Sequence, residues 1–312
     1  MRKLINNFIK KIKEKYRKPR YKWPINLLVE ADLRAFRRRH GYEMNINAPV
    51  TFTEKIQWYK LFYDGCENMH EIVDKYHFKQ YIEKKLGKGY TIPLLGYWTN
   101  IQDLEKDWLK LPEVFCLKST ISSEGNNIKI IHNKSSINFS DLAKEIKPWL
   151  NPKNTMLDSY CRAYYKTKPG FLAEEYMENV KNQLYDFKVF CFDGQPYCIY
   201  AAIEHFDKND YPIVFYDLNW NKLEVKYGIH QTGNVPCPSH LKEMIDIAKQ
   251  LSVGFPFVRV DFFDTDKKLL LAEMTFYPGG GLSPYYPKSF DEKMGNIFKL
   301  PTDKHKCQLD NE

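Results

Sequence analysis

Between residues 254 and 281 the sequence reads GFPFVRVDFFDTDKKLLLAEMTFYPGGG. Two stretches rich in aromatic and branched residues, FPFVRVDFFD and KLLLAEMTF, flank a polar turn around Thr265–Lys267, and this pattern predicts a β-hairpin. The hairpin constrains the fold more than any other segment, because its strands are almost wholly apolar and yet carry Arg259, Asp261 and Glu273. Residues two apart on a strand face the same side of a sheet, so Arg259 and Asp261 share a face. Pairing the strands brings Asp261 and Glu273 together, with Thr275 two residues beyond. Paired carboxylates suit a hard, oxygen-loving cation such as Mg²⁺, and an adjacent guanidinium suits a phosphate. On residue chemistry alone, a salt bridge on an exposed sheet face is the competing reading.

The rest of the chain frames that hairpin. Residues 27–64 read as mostly helical, with Thr51 and Glu54 spaced as a capping box. Residues 71–86 read as a helix closed by Gly87. Short strands are expected around 90–98 and 114–118, then a Gly/Ser/Asn loop at 119–127, a strand at 128–132, a helix near 139–150 and a loop-rich stretch at 151–170. From residue 171 the segments FLAEEYM, YDFKVFCFDG, QPYCIYAAI and IVFYDLNW alternate apolar and polar residues between turn signals, as antiparallel strands do. SHLKEMIDIAKQLSVG is an amphipathic helix that leads into the hairpin. The expected class is α+β: a helical N-terminal region at 23–70, a first lobe at 71–172, a second lobe at 173–300, a hinge near 171–177 and a polar tail at 301–312.

Charge is concentrated at one end. Residues 1–22 hold ten Lys/Arg and one acid, whereas the remainder is nearly neutral, with 37 basic and 38 acidic residues. A uniformly basic surface for nucleic acid is therefore not expected. Leu4, Ile5, Phe8, Ile9, Ile12 and Tyr16 recur at helical spacing against a cationic face. That pattern predicts a helix able to lie on an anionic membrane surface, and a helix packed on the body is the alternative. Pro19 and Pro24 end it. No run approaches 18 apolar residues, and no secretory signal is recognisable at the N-terminus. Seven cysteines without a Cys-x-x-Cys pair suggest reduced thiols rather than a zinc site. The expected location is cytoplasmic, peripheral on the inner face of the plasma membrane.

Two further lysines stand out. Lys118 ends the apolar strand FCLK and enters STISSEGNN, a loop whose Ser122, Ser123 and Gly125 could cradle phosphate through backbone N–H groups. Lys188 lies inside the apolar strand DFKVF, where burial demands an anionic partner. Glu174 to Met177 close a strand at the hinge, where backbone groups could read an adenine edge. Tyr285, Tyr286 and His205 are candidates for lining an acceptor pocket, although aromatic residues in so aromatic a chain more often pack.

The order of these features resembles the ATP-grasp superfamily. FTEKIQW at 52–58, DKY at 74–76, IPLLG at 92–96, DFKVFCFDG at 186–194, GFPFVRVD at 254–261 and EMTFYPG at 273–279 resemble its TupA-like branch, associated with teichuronopeptide and other surface-polysaccharide biosynthesis. The resemblance spans roughly residues 30–300. It implies two lobes gripping ATP. Lys118 and Lys188 would contact phosphates, and loop 119–127 would cover them. Glu174 and Met177 would flank the adenine, and Glu178 would reach the ribose. Asp261, Glu273 and Thr275 would hold Mg²⁺, and Arg259 would stabilise the phosphoryl group in transfer. Thr275 stands where many relatives have Asn, and ISSEG replaces a more usual HGSG.

The implied activity is a carboxylate–amine ligase that works through an acyl-phosphate. Its substrates would be a carboxylate-bearing sugar or amino acid and an amine, on a lipid-linked glycan. A polysaccharide-modifying phosphotransferase, a glycan transferase and a non-catalytic ATP-binding scaffold are the alternatives.

Overall fold

A computed structural model describes residues 18–63, 69–123, 125–177, 184–204, 212–230, 232–265 and 267–301. The basic segment enters at its described end as a short 3-10 turn, Arg20–Lys22, between Pro19 and Pro24. This turn docks on the body. The Arg20 backbone N–H donates to Asp158 Oδ1 at 2.8 Å, and its guanidinium lies over the Tyr160 ring. Residues 1–17, which carry the predicted amphipathic stripe, lie outside the described residues.

Helix α1, Ile25–His40, and helix α2, Phe52–Phe62, form the N-terminal layer. The capping box is present: Thr51 Oγ1 accepts from the Glu54 N–H, and Glu54 Oε2 accepts from the Thr51 N–H. Arg37, Arg38 and Arg39 are exposed, as a solvated face should be. The single helix expected over 71–86 is two helices, α3, Met69–Ile72, and α4, Lys75–Leu86. The break falls at Asp74, whose carboxylate accepts from the N–H groups of Tyr76 and His77 and so starts a new helix.

The first sheet comprises β1, Leu94–Trp98, β2, Phe115–Ser119, β3, Ile128–Ile131, and β4, Phe171–Glu175, in the order β1-β4-β2-β3. Helices α5, Ile101–Asp107, and α6, Phe139–Ile146, pack on it through Leu104, Leu142 and Ile146, against Phe115, Leu117 and Phe171. The helix expected to reach 150 tightens to 3-10 geometry over Lys147–Leu150, where Pro148 has no N–H to continue the α-ladder.

The second sheet contains β5, Leu184–Phe192, β6, Gln195–Glu204, β7, Ile213–Tyr216, β8, Lys222–Leu223, β10, Phe257–Asp264, and β11, Leu269–Thr275. Its order is β11-β10-β5-β6-β7-β8. A two-stranded ribbon joins β9, Lys226–Tyr227, to β12, Tyr285–Tyr286. Helix α7, Leu241–Ser252, covers one face of the second sheet with Met244, Ala248 and Leu251, and α8, Lys288–Ile297, follows the ribbon. Phe187, Phe190, Phe215, Phe257 and Phe262 are fully buried here. Each contributes about 1.5–3 kcal/mol on leaving water; Phe187 and Phe262 lie on the face away from the charges, whereas Phe190, Phe215 and Phe257 share the face of Lys188 and Arg259.

The sheets meet where β11 begins. The Leu271 N–H donates to the Tyr90 carbonyl at 2.7 Å, just ahead of β1, and the Glu175 N–H donates to the Pro93 carbonyl at 3.0 Å. The Tyr90–Pro93 segment thus bridges the start of β11 and the end of β4.

Candidate active site

Strand alternation selects the polar face of the second sheet. Asp186 and Lys188 on β5, Arg259 and Asp261 on β10, and Glu273 and Thr275 on β11 each lie two apart. The register places Asp261 between Lys188 and Glu273, and Arg259 opposite Thr275. Arg259 Nε donates to Asp261 Oδ1 at 2.8 Å and Nη2 donates to Oδ2 at 2.6 Å. Lys188 Nζ donates to Asp261 Oδ2 at 3.0 Å and also pairs with Asp186. Arg259 Nη2 further donates to Thr275 Oγ1 at 3.1 Å, and that hydroxyl donates to Glu273 Oε1 at 2.9 Å.

Asp261 is fully buried and Arg259 nearly so, which rules out the exposed-face salt bridge. Burial pushes the Asp261 carboxyl up, while Arg259 and Lys188 pull against it. Burial would lower the Lys188 ammonium, but Asp186 and Asp261 outweigh it and hold that ammonium above its ordinary value. Glu273 opens to solvent, with 44% of its side chain exposed. Burial would raise its carboxyl, yet Lys75, Arg259 and Lys188 together keep it below the usual range.

The first sheet contributes a second cluster. Lys118 on β2 pairs with Glu174 on β4, two strands in direct register. Lys79 of α4 approaches the other Glu174 oxygen at 3.0 Å. Glu174 is buried. Its burial would raise the carboxyl, but the two lysines prevail and hold it low. The carboxylate turns inward as counter-ion to Lys118 and Lys79. Glu175 ends the strand, and Tyr176 and Met177 follow it half-buried.

Lys75 links the clusters. It starts α4, its Nζ donates to the Ser122 carbonyl at 2.5 Å, and its charge is felt by Glu273. Burial lowers its ammonium, with Glu273 opposing. Loop 119–127 is thereby tied down at Ser122. The Ser122 hydroxyl donates to the Ser119 carbonyl, and the Ser123 hydroxyl contacts Met156 Sδ at 3.0 Å, so both turn back onto protein. Gly125 takes a left-handed φ of 66°. Glu124, Glu178 and His205 lie outside the described residues. Tyr285 is buried in the core, whereas Tyr286 is 53% exposed.

Sequence reasoning did not single out Lys79 or Asp186, and it met Lys75 only inside the DKY motif. The available signal was the i, i+4 spacing of Lys75 and Lys79, which puts both on one helix face. Asp186 stands two residues from Lys188, which is the same-face relation already used for Arg259 and Asp261.

Among the described residues, no group of three or more His, Cys, Asp or Glu could hold a metal ion. Mg²⁺, however, commonly takes one or two carboxylates and completes its shell with phosphates and water. The oxygen-only set of Asp261, Glu273 and Thr275 fits a nucleotide-bound Mg²⁺ better than a free ion.

The sequence profile of the TupA-like ATP-grasp family matches residues 54–299. The chain belongs to this family. Its fold is the ATP-grasp fold, mixed α+β with a helical N-terminal region. No curated protein matches it. Among solved structures it is similar to D-alanine–D-alanine ligase from Bacillus anthracis, with 19% identity over 81% of this chain and 74% of that one, at a TM-score of 0.43. The same ligase complexed with ATP aligns at 16% identity over 66% and 55%, with a TM-score of 0.38. The N5-carboxyaminoimidazole synthase from Aspergillus clavatus, bound to ADP and an aminoimidazole ribonucleotide, aligns at 15% over 66% and 44%, with a TM-score of 0.36. The chain spans about half the length of these last two structures. No described helix is long and apolar enough to cross a membrane.

Proposed function

We propose that the protein is an ATP- and Mg²⁺-dependent carboxylate–amine ligase acting on a surface polysaccharide. One observation carries this reading: Lys188 and Arg259 gather on Asp261 and Glu273 of one sheet, Lys118 is held by Glu174 on the other, and Lys75 stands between the two clusters. Such an array neutralises a polyphosphate and leaves a carboxylate pair for its metal.

The residues divide the work. The backbone after Glu175, through Met177, receives the adenine. Lys118, Lys75 and Lys188 hold the phosphates, with the tied loop at Ser122–Ser123 and Gly125 above them. Asp261, Glu273 and Thr275 would hold Mg²⁺, which would supply charge neutralisation to the phosphates. A carboxylate oxygen of the acid attacks the γ-phosphorus and ADP leaves. The amine then attacks the acyl carbon, inorganic phosphate leaves with the C–O bonding pair, and the amine nitrogen loses a proton. Arg259, fixed by Asp261, faces the phosphoryl oxygens through both steps. Preorganised charge of this kind is the main requirement of phosphoryl transfer.

The acid is a uronic acid or amino acid of a lipid-linked glycan, by likeness to the family's association with surface polysaccharides. The basic, apolar-striped residues 1–22 fit an anionic membrane surface, placing the enzyme in the cytoplasm beside the inner face of the plasma membrane. ADP release from Mg-ATP, measured against a matrix of uronic acids, amino acids and amines, tests the reading. Turnover that needs both an acid and an amine supports it. ADP release that needs only a hydroxyl acceptor would show a phosphotransferase instead.

A further inference from the structure

The FTEKIQW segment has no part in the chemistry above, although it is among the motifs that mark the chain. Two of its side chains, Gln57 and Lys55, reach carbonyls in the chain that follows β11, at the glycine turn and at the end of α8. Gln57 Nε2 donates to the Gly281 carbonyl at 2.7 Å. Lys60 Nζ, one helical turn beyond Ile56, donates to the Gly280 carbonyl at 2.7 Å. His40 Nε2 meets the Gly281 carbonyl at 3.1 Å. Lys55 Nζ donates to the Gly295 and Phe298 carbonyls at 2.7 and 2.8 Å, closing the end of α8.

The glycine turn has an unusual shape. Gly279, Gly280 and Gly281 all take left-handed φ values, 56°, 60° and 67°. A Cβ at Gly281 would strike the Gln57 amide, and one at Gly279 would strike the Tyr227 hydroxyl. Glycine is thus required by both conformation and space. Behind the turn, Lys60 is 1% exposed and pairs at 2.8 Å with Asp32, which is 0% exposed. A buried lysine with a dedicated buried carboxylate is costly to build, and surface docking of a helix does not need it.

The direction of β11 says what the turn could serve. Its Leu271 end abuts the Tyr90–Thr91 segment, which bridges to the end of β4, where the adenine is placed. Glu273 and Thr275 follow, and the glycine turn begins three residues later. The turn therefore lies past the phosphate end, on the side from which an acceptor approaches.

We propose that Gln57 and Lys60, with Asp32 as counter-ion, are positioning residues that hold the Pro278–Gly281 turn as the acceptor wall of the site. The N-terminal helical layer is then part of the enzyme's acceptor machinery. The acceptor role rests on the ligase reading; the clamp itself does not.

The test uses the full chain and three readouts. Lys60→Met alone strands Asp32 and is expected to destabilise the protein, so the working variants are Gln57→Leu and the paired Asp32→Leu/Lys60→Met. Hydrogen exchange of the Gly280 and Leu282 amides, which close the turn onto Tyr277 and Gly279, should accelerate by at least about tenfold. Mg-ATP affinity by calorimetry should stay within about threefold of wild type. With the acid and amine that the wild type turns over, KM for the acceptor should rise by at least about tenfold at near-constant KM for ATP. Unchanged exchange at Gly280 and Leu282 overturns the clamp. Faster exchange with an unchanged acceptor KM overturns the acceptor role, as does an equal loss of nucleotide affinity. If the wild type turns over no acid–amine pair, the ligase reading fails, while faster exchange still establishes the clamp.

Discussion

Arg259 and Asp261, two residues apart on β10, form a bidentate ion pair at 2.8 and 2.6 Å, with Asp261 entirely buried. Lys188 adds a third charged contact to the same carboxylate. Asp261 is thus both the candidate metal ligand and the counter-ion that allows two cations to stand on an otherwise apolar sheet. Glu273, its neighbour across the strand pair, opens to solvent and is held more loosely, by Arg259 at 3.5 Å and the Thr275 hydroxyl at 2.9 Å.

Replacing Asp261 should therefore damage folding as well as chemistry. Asp261→Asn keeps the shape but leaves Arg259 and Lys188 short of a negative charge in a buried setting. Breaking a buried pair in this way costs about 3–5 kcal/mol. Urea unfolding should show that loss, and a variant as stable as wild type would contradict the counter-ion role.

Glu273→Gln separates the two duties. Its side chain is the more accessible one and its contacts are looser, so the loss of stability should be smaller than for Asp261→Asn. Turnover should fall by about a hundredfold, or about 2.7 kcal/mol of transition-state stabilisation, and should demand more Mg²⁺. Wild-type turnover at ordinary Mg²⁺ would remove Glu273 from the metal site.

Glu174 sets an acid limit. Lys118 and Lys79 outweigh burial and hold its carboxyl below its ordinary value. A depressed carboxyl contributes stability that is fully present above the unfolded value of about 4.3 and is lost as pH falls through the folded value. Wild type should accordingly be more stable than Glu174→Gln at pH 6, and the gap should close as pH falls below about 4.3. A gap that stays constant down to pH 3 would show that the pair with the two lysines does not matter.

The hairpin and its charges were legible because strand periodicity alone fixes which side chains share a face. Arg259, Asp261 and Glu273 fall together for that reason, and the paired strands required Lys188 to meet an anion. Lys79 was not legible, since a lysine on an amphipathic helix looks solvated until Glu174 arrives from a distant strand. The Asp32–Lys60 pair was hidden in the same way: each residue reads as the polar face of its own helix, and only the packing of α1 on α2 buries both. The split of the 71–86 helix turned on one side chain, Asp74, which reads equally well as an interior surface residue or as a cap.

The basic N-terminus should be separable from the catalytic body. Removal of residues 1–17 spares Arg20, which is fastened to Asp158 and Tyr160. The truncated protein should melt like the full chain and bind Mg-ATP equally well. The full chain should sediment with anionic vesicles in a salt-sensitive manner, each cation near the surface contributing about 1 kcal/mol. Equal sedimentation of the two forms would refute the anchor.

The most direct test of the nucleotide site is a calorimetric titration of Mg-ATP into wild type and Lys118→Met. Lys118 is partly exposed, and its partner Glu174 keeps Lys79, so the variant should remain folded. Wild type should bind with a Kd in the micromolar to millimolar range, about −8 to −4 kcal/mol, and the variant at least about tenfold more weakly. Equal affinity in the two proteins, or no heat from wild type at millimolar nucleotide, would contradict an ATP site built on Lys118 and its neighbours.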